Sequence, residues 1–304
     1  FATFTAASAV RRGLTEAGFS VDKRKGFGYK REALHGQLAE PKVRGYDHTP
    51  WDIPVVTSSP TTALVIGAGL AGCFAARSLA ERGVHVTVLE RRTVACGGSS
   101  NLQGLTYTRL SHRCAPLADF SLTAFDYATR LYRRLLRERS LLEGTDADSS
   151  GFLQVGMDDM TLARWRTVLA SGEALAEAMD AEGASARLGI AIHHGGLHFP
   201  NALWLNPSAV CNERLRHPLI HVETHCGDVT LEKTANAWLA RAENGKGWQA
   251  EVAILATAAG LRNSTYTHWL PLQVIRGQVS HVLATPASTM LRTALCHEGY
   301  LPPA

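Results

Sequence analysis

Apolar and polar positions divide the chain into strand-like and helix-like segments. An apolar run at Ala63–Ile66 is followed by the glycine-rich break of residues 67–72 and by a helical pattern that continues to Arg82. A second apolar run, Val84–Leu89, ends at Glu90. Apolar runs of this length on either side of a helical pattern predict a strand–turn–helix–strand unit.

Similar patterns predict the other elements. The N-terminal segment is predicted to form a strand at residues 1–5, a helix at Ala6–Ala17, and strands at Phe19–Lys25 and Tyr29–Leu38. A helix followed by an antiparallel strand pair is typical of the end of a Rossmann-type α/β domain. Later strands are predicted at Gly151–Met157, Gly195–Phe199, Leu219–Thr224, Val229–Leu231, Ala237–Arg241 and Trp248–Leu255. Later helices are predicted at Ala118–Leu142, Asp159–Glu182 and Asn206–Arg214, the last with Asn206 as its N-cap.

The glycine-rich break carries the chemistry of a dinucleotide site. Gly67 permits a tight turn, Gly69 lets the backbone approach a pyrophosphate, and Gly72 lets the helix pack against the strand. Glu90 can accept hydrogen bonds from both ribose hydroxyls and would repel a 2′-phosphate. The sequence therefore predicts FAD or NAD at this turn. The alternative is an ordinary buried βαβ unit with a glycine-rich turn.

Two further segments suit the same ligand. The polar stretch from Arg91 to Leu110 follows the acid directly, and Ser99, Ser100 and Asn101 can donate to a cofactor that it wraps. The predicted strand that ends at Leu255 runs into the small-residue turn Ala256-Thr257-Ala258-Ala259-Gly260, which can approach a cofactor closely. A flexible surface loop and a plain turn are the respective alternatives.

Composition limits the class of protein. A chain of 304 residues with 45% hydrophobic and 19% charged residues predicts about two globular domains, or one large α/β domain with an elaboration. No apolar run approaches the roughly 20 residues of a membrane span, and no signal peptide opens the chain, so we expect a cytoplasmic protein with no membrane partner. The six cysteines show no paired spacing and are predicted to be reduced and mostly buried. We expect no metal, although His221, His225 and Cys226 lie close in sequence.

The net charge of +4 is concentrated near the N-terminus, where residues 1–45 carry nine basic groups against four acids. Such a segment suits a polyanion, and it also suits a solvated surface. The candidate phosphate contacts are Lys23, Arg24, Lys25, Lys30 and Arg31. Within the long predicted helix, Arg130, Arg133, Arg134 and Arg137 recur on one face and form a second candidate.

Composition also predicts the domain boundaries. Residues 41–60 are proline-rich and lack periodicity, which predicts a linker between an N-terminal piece at 1–40 and a domain at 61–304. The chain begins at Phe1, without a methionine, and we expect a fragment of a longer protein. Residues 1–40 contain no glycine loop for S-adenosylmethionine, so methylation is not expected of this chain.

The order of these pieces resembles a known family. The G-x-G-x-x-G unit with its acid, the G-S-x-N loop, GGLHFPNALWLNP, ILATAAG and VIRGQVSHV resemble the glycine-oxidase-like class of FAD-dependent amine oxidoreductases. The RRGL-x-EAGF-x(4)-KRKGFG-x-KRE run, the linker and this domain together resemble the bifunctional tRNA 5-methylaminomethyl-2-thiouridine biosynthesis family. The resemblance implies an α/β fold: a glycine-oxidase-like, FAD-binding Rossmann domain with a mixed-sheet substrate domain, preceded by the C-terminal remnant of a Rossmann-type methyltransferase domain.

The same resemblance implies a function. The oxidoreductase half of that family oxidises the glycine-like side arm of 5-carboxymethylaminomethyl-2-thiouridine at the wobble position of tRNA, and the two-carbon piece of the arm leaves as glyoxylate. The implied cofactor is FAD, with S-adenosylmethionine only in the missing methyltransferase half; the implied partner is tRNA, and we expect a monomer. An oxidase of a free small amine such as glycine and a non-catalytic remnant are the alternatives.

Site residues follow from the motifs and the resemblance. Arg276 is the first candidate for binding the substrate carboxylate, because a guanidinium matches a carboxylate with two parallel hydrogen bonds. The resemblance implies that its segment, Val274–Gln278, is a strand that passes near the flavin ring. Tyr300 is the second candidate, and a surface arginine on an edge strand is the alternative for Arg276. The full set of candidate cofactor residues is Gly67, Gly69, Gly72, Glu90, Arg91, Ser99, Ser100, Asn101, Gln103, Gly104, Val229, Ala258 and Gly260.

Overall fold

In a computed structural model the chain forms two compact units, Phe1–Ser59 and Pro60–Ala304. The structure describes residues 1–3, 5–26, 28, 31–39, 59–108, 110, 116–169 and 175–303. The predicted linker at 41–60 falls almost entirely outside these ranges, as do the turn residue Phe27 and the start of the strand predicted at Tyr29.

The N-terminal unit is a small antiparallel sheet with one helix. Its elements are β1 (Ala2–Thr3), α1 (Ser8–Glu16), β2 (Phe19–Lys25) and β3 (Glu32–Leu38), with strand order β1-β3-β2. Leu34 is fully buried, and Phe1 packs edge-on against Phe19 at 5.0 Å between ring centroids. Gly36 lies under the ring of Phe1, where a Cβ would come within 2.3 Å. The strand–helix–strand–strand order predicted from the sequence is confirmed.

The second unit is built on a four-stranded parallel sheet. Its strands are β4 (Thr62–Ile66), β5 (His85–Leu89), β12 (Ile220–Glu223) and β16 (Val252–Leu255), in the order β12-β5-β4-β16. The helix α2 (Leu70–Ala80) connects β4 to β5, which confirms the predicted strand–turn–helix–strand unit.

Both faces of the parallel sheet are covered, as continuous apolar strands require. Side chains such as Val65 and Val88 face α2 and α6 (Pro207–Leu215), while Leu64 and Leu89 face the other side. On this other side the parallel sheet is covered by an antiparallel sheet of β13 (Val229–Lys233), β14 (Trp238–Ala242) and β15 (Gly247–Ala250). The α6 helix begins as predicted, because Asn206 Oδ1 accepts hydrogen bonds from the backbone N–H groups of Ser208 and Ala209.

A separate five-stranded sheet is mixed. It contains β8 (Phe152–Met157), β9 (Glu177–Met179), β10 (Gly195–Phe199), β17 (Ala294–Cys296) and β18 (Tyr300–Leu301), in the order β18-β17-β8-β10-β9. β17 runs parallel to β8 and the other neighbours are antiparallel. Its faces pack against α5 (Ala181–Leu188) and, on the other side, against α3 (Pro116–Arg137) and α4 (Asp159–Leu169). The predicted mixed sheet is therefore confirmed.

A further short sheet has three strands. β6 (Gly104–Leu105) and β7 (Ala147–Asp148) both pair with β11 (Trp204–Leu205). Next to it, Leu131 and Leu135 of α3 pack against Leu203 and Val210. The loop that follows the parallel strand β5 is thus anchored, through β6, beside the long helix.

Three predicted elements differ from the structure. Trp248–Leu255 is two strands in different sheets, because the chain crosses between layers at Glu251, whose carboxylate accepts the N–H and hydroxyl of Thr61. The segment predicted as mainly helical from Asp159 to Glu182 contains the strand Glu177–Met179 between two helices. Finally, the strand predicted at Val274–Gln278 does not form, because the backbone of residues 273–284 makes no hydrogen bond to any described residue.

None of the helices in the described ranges combines the length and the apolar character needed to cross a bilayer.

Candidate functional site

The turn between β4 and α2 is compact in a way that only glycine permits. Gly67 has φ of +104°, and a Cβ there would lie 2.6 Å from the carbonyl oxygen of Ala256. A Cβ at Gly72 would lie 1.9 Å from the carbonyl oxygen of Gly67. At Gly69, in contrast, a Cβ would meet only Ser99 Oγ, at 3.2 Å. The turn is closed on its protein side and open at Gly69, which is the geometry that a pyrophosphate needs.

Glu90 lies at the end of β5 with its carboxylate directed at this turn. It is 8% exposed, and its oxygens accept the N–H of Ala68 at 2.8 Å and that of Arg92 at 3.1 Å. The thiol of Cys96 donates to the same carboxylate at 3.3 Å. A carboxylate offers about four lone-pair sites, so the described donors fill three of them. This arrangement suits a ribose diol, which can bind at the remaining site and in place of the weak thiol donor.

The loop after β5 returns to the helix N-terminus. Ser99 Oγ accepts the N–H of Leu70, the first residue of α2, at 3.0 Å. Ser100 is exposed and its N–H bonds the carbonyl of Gly97, while Asn101 is half-buried. The structure therefore brings Ser99 to Gly69 and leaves Ser100 in a local turn.

The loop between β12 and β13 lies against the backbone of Glu90 and Arg91. The N–H of Cys226 bonds the carbonyl of Glu90 at 3.0 Å, and that of Gly227 bonds the carbonyl of Arg91 at 3.2 Å. Arg91 forms an exposed ion pair with Asp228 at 2.7 Å, next to Val229 at the start of β13. Candidate residues from distant parts of the sequence thus meet at the carboxyl edge of the parallel sheet.

The small-residue turn after β16 lies at the same edge. β16 pairs in parallel with β4, so Ala256 follows its strand beside Gly67. Ala258 has φ of 49°, in the left-handed region that costs energy for a residue with a Cβ. It begins a 3₁₀ helix, Ala258–Asn263, that contains Gly260. Both candidate residues of this turn therefore lie in the segment that follows the Gly67 contact.

Gln103 and Tyr300 are joined directly. The Tyr300 hydroxyl donates to the carbonyl oxygen of Gln103 at 3.1 Å, and Gln103 Nε2 donates to the carbonyl oxygen of Pro303 at 3.1 Å. Gly104 begins β6, and a Cβ there would touch Pro207 at 3.4 Å. The second candidate for the substrate carboxylate is thus held on the candidate cofactor loop, although 197 residues separate the two in sequence.

Arg276 is not brought to this group. It is exposed, and it has neither a hydrogen bond nor an ion pair to any residue that the structure describes. Its neighbours Ile275, Val282 and Leu283 are 80%, 84% and 93% exposed. The structure therefore does not connect Arg276 with the candidate cofactor residues, and its predicted role stays a prediction.

A cavity that the sequence did not indicate lies between α3 and the cofactor loop. Its volume is about 380 Å³. Its walls come from α3, from the starts of α2 and α6, and from the loop at 104–107. Burial raises the pKa of Tyr132, one of its lining residues, to about 12. The sequence signal for this region was the helical pattern of Ala118–Leu142, which does not show what the helix packs against.

The described cysteines are free, and Cys96 is the one among them that is not buried. Burial raises the pKa of the Cys296 thiol to about 12. His221 contacts Glu223, and His225 lies beyond the end of β12 with φ of 58°. Within the described ranges, no cluster of three or more histidine, cysteine or acidic side chains is arranged to hold a metal ion.

The basic N-terminal segment presents an exposed strand. Lys23, Arg24 and Lys25 are exposed on β2, and Lys23 forms an ion pair with Glu32 at 2.7 Å. Arg31 is also exposed, whereas Lys30 lies outside the described residues. Phosphate binding by this strand stays a prediction.

Comparison with known proteins identifies relatives of both units. A family model described as FAD dependent oxidoreductase (DAO) matches residues 62–300, and one described as S-adenosyl-L-methionine-dependent methyltransferase matches residues 1–39. Two curated relatives, from Ectopseudomonas mendocina and Stutzerimonas stutzeri, are named tRNA 5-methylaminomethyl-2-thiouridine biosynthesis bifunctional protein MnmC. They are 41% and 38% identical over 100% and 99% of this chain, which spans 45% of the length of each. The predicted resemblance to that family is confirmed.

A solved structure supports the fold. Glycine oxidase from Geobacillus kaustophilus has a TM-score of 0.60 and 16% identity, over 79% of this chain and 67% of its own. The predicted glycine-oxidase-like fold is confirmed at this level of similarity. Because the oxidoreductase model matches most of the chain, from residue 62 to residue 300, this protein belongs to the FAD dependent oxidoreductase family.

Proposed function

We propose that the chain binds FAD at the carboxyl edge of the parallel sheet. The observation that carries this proposal is the cradle itself: a turn closed by Gly67 and Gly72, open at Gly69, and faced by the carboxylate of Glu90. In this proposal Glu90 holds the adenosine ribose, the N-terminus of α2 with Ser99 holds the pyrophosphate, and residues 258–260 cover the cofactor. When bound, FAD supplies the two-electron oxidation of a carbon–nitrogen bond.

We propose that the substrate is 5-carboxymethylaminomethyl-2-thiouridine in tRNA. Its side arm loses two electrons to form an imine, and water hydrolyses this imine to the 5-aminomethyl form and glyoxylate. The names of the curated relatives, at about 40% identity along the chain, support this substrate. The exposed basic strand β2 supports a polyanionic partner. Because the chain spans 45% of those relatives, the methylation step belongs to this proposal only as a property of a larger protein.

Within this proposal Tyr300 is the better placed of the two candidate substrate residues. Its hydroxyl already bonds the loop that contains Gln103 and Gly104, so a carboxylate bound by Tyr300 would lie beside that loop. Arg276 has the better chemistry for a carboxylate, and it lies on a segment that forms no backbone hydrogen bonds to described residues. A role for Arg276 therefore requires that residues 273–284 pack against the loop during turnover.

The experiment offers two substrates to the purified chain after it has been mixed with FAD. One is tRNA that carries 5-carboxymethylaminomethyl-2-thiouridine, and the other is free glycine. Nucleoside mass spectrometry should show the 5-aminomethyl product, with an equal amount of glyoxylate and no glyoxylate from glycine. Glyoxylate from glycine alone would identify a small-amine oxidase, and absence of flavin binding would identify a non-catalytic remnant. Either result overturns the proposal.

A further inference from the structure

One face of α3 is exposed along most of its length and is occupied by large side chains. At helical spacing the face carries Leu117, Phe120, Tyr127, Arg130 and Arg134. Phe120 is 70% exposed and Tyr127 is 66% exposed, although both are large aromatic residues. We refer to the exposed side chains from Leu117 to Arg139, which include those of the two residues after the helix, as the α3 face.

The C-terminal end of the α3 face is basic. Residues 126–139 contain five arginines and two carboxylates. The two carboxylates are each used locally, in the ion pairs Arg130–Asp126 and Arg134–Glu138. Positive charge therefore remains after the ion pairs are formed.

The other three arginines of this end have no carboxylate partner among the described residues. Arg133 donates to the carbonyl oxygens of Pro200 and Asn201, at 2.7 and 3.2 Å. Arg137 donates to the carbonyl oxygen of Arg133, and Arg139 is exposed. A guanidinium bound only to carbonyl oxygens keeps its full charge, so this end attracts anions.

The N-terminal end of the α3 face leads to the candidate site. Phe120 and Ala124 line the cavity of about 380 Å³, whose opposite wall contains Gly104 and Tyr107 of the cofactor loop. A ligand that lies along the α3 face therefore has one end among arginines and the other at the mouth of this cavity.

We infer that the α3 face binds a single-stranded loop of RNA, with the arginines on its phosphates and with Phe120 and Tyr127 stacked on its bases. Exposed aromatic side chains next to arginines are the combination by which proteins bind unpaired nucleotides. The positive charge of these arginines is complementary to phosphates, whereas a purely apolar partner would leave the arginines without a counter-charge. The inference rests on the proposed function, since it names the surface that presents the wobble base of a tRNA to the cavity.

The test measures binding of two RNA probes to the whole chain: a hairpin with an unpaired anticodon-type loop, and a fully paired duplex of equal length. Arg134→Gln with Arg137→Gln should lower the slope of log affinity against log salt by about 1–2 for the hairpin. The matched control is Arg164→Gln with Arg166→Gln, which removes two exposed arginines from α4. Circular dichroism verifies that every variant is folded.

The aromatic residues are tested separately. Phe120→Ala and Tyr127→Ala should each weaken hairpin binding by about 5- to 150-fold while the salt slope and the duplex affinity stay unchanged. Met160→Ala, which removes a 66% exposed apolar side chain from α4, is the matched control.

The outcomes separate this inference from the proposed function. If the chain oxidises modified tRNA and the α3 variants bind the hairpin like their controls, the inference is wrong and the proposed function stands. If the double arginine variant keeps the wild-type salt slope and the aromatic variants keep the wild-type hairpin affinity, the inference is wrong and RNA binds to another surface, for example β2. If the wild-type chain neither binds the hairpin nor oxidises modified tRNA, the proposed function itself fails.

Discussion

Replacing Glu90 by Gln tests the candidate cofactor site most directly, because the change keeps the shape of the side chain and removes its charge. A hydrogen bond to a charged group contributes about 1.5–3 kcal/mol. With two bonds to a ribose diol, and with part of each retained by the amide oxygen, we expect a loss of about 2–4 kcal/mol, or roughly 30- to 1,000-fold in the dissociation constant of FAD.

The same substitution also affects the protein without its cofactor. The N–H of Ala68, which donates to Glu90 at 2.8 Å, and that of Arg92 compete for the one acceptor oxygen of Gln. A buried N–H left without a partner costs about 1–3 kcal/mol, so thermal unfolding of the FAD-free variant should occur at a lower temperature. Glu232→Gln, an exposed carboxylate on β13, is the matched control and should change neither quantity.

Cys96 supplies an independent readout. Its thiol fills a lone-pair site of Glu90 that the ribose diol needs, so Cys96→Ala should leave FAD affinity unchanged or slightly tighter. Fluorescence titration with FAD, and with riboflavin as a ligand that has no adenosine, measures all three variants. The reasoning is refuted if folded Glu90→Gln binds FAD within about twofold of the wild type, or if riboflavin binding falls as much as FAD binding.

Two further predictions concern folding. Gly72→Ala places a Cβ 1.9 Å from the carbonyl oxygen of Gly67 and should lower the free energy of unfolding, measured by urea titration, by about 1–3 kcal/mol or more. Gly98→Ala, where the Cβ meets open space, should leave this free energy unchanged. Equal urea midpoints for the two variants would contradict this prediction. Burial and then the charge of Arg187 lower the pKa of His198, although the carboxylate of Glu177, 3.8 Å from Nδ1, opposes them; neither ring nitrogen makes a hydrogen bond to a described residue. Its neutral form is therefore favoured in the folded protein: stability is fully present above the unfolded pKa of about 6.5 and is lost as pH falls through the lower folded pKa. Urea unfolding from neutral to acidic pH should show this loss for the wild type and less of it for His198→Gln; parallel curves would refute it.

Local sequence patterns were sufficient to predict the strand–turn–helix–strand unit of β4, α2 and β5. Its two apolar strands, the glycine turn and the final acid each follow from a short stretch of sequence, and the structure places Glu90 against the turn as the pattern required. Local patterns gave a wrong prediction at Trp248–Leu255, because this one run of residues contributes strands to two different sheets. The chain passes from one sheet to the other at Glu251, whose carboxylate contacts Thr61, 190 residues away in sequence.

The parts of the site that depend on distant partners could not be predicted in this way. Arg276 lies in a stretch that the family resemblance assigned to a strand, yet a strand exists only where a neighbour accepts its hydrogen bonds. The thiol of Cys96 on Glu90 depends on how the loop folds back. The cavity beside α3 is a property of packing between segments, and no residue in it is unusual by itself.

The pairing of β16 with β4 has a consequence for the order in which the molecule assembles. The strand that opens the glycine turn begins at Thr62, and its neighbour on one side begins only at Val252. A ribosome must therefore synthesise every residue between Gly67 and Ala256 before Ala256 is available to close on Gly67. Long loops of this kind slow folding, because their entropy is lost before the contact is gained. Until then β4 has an unpaired edge, and a nascent chain interrupted before residue 252 would expose that edge to other strands.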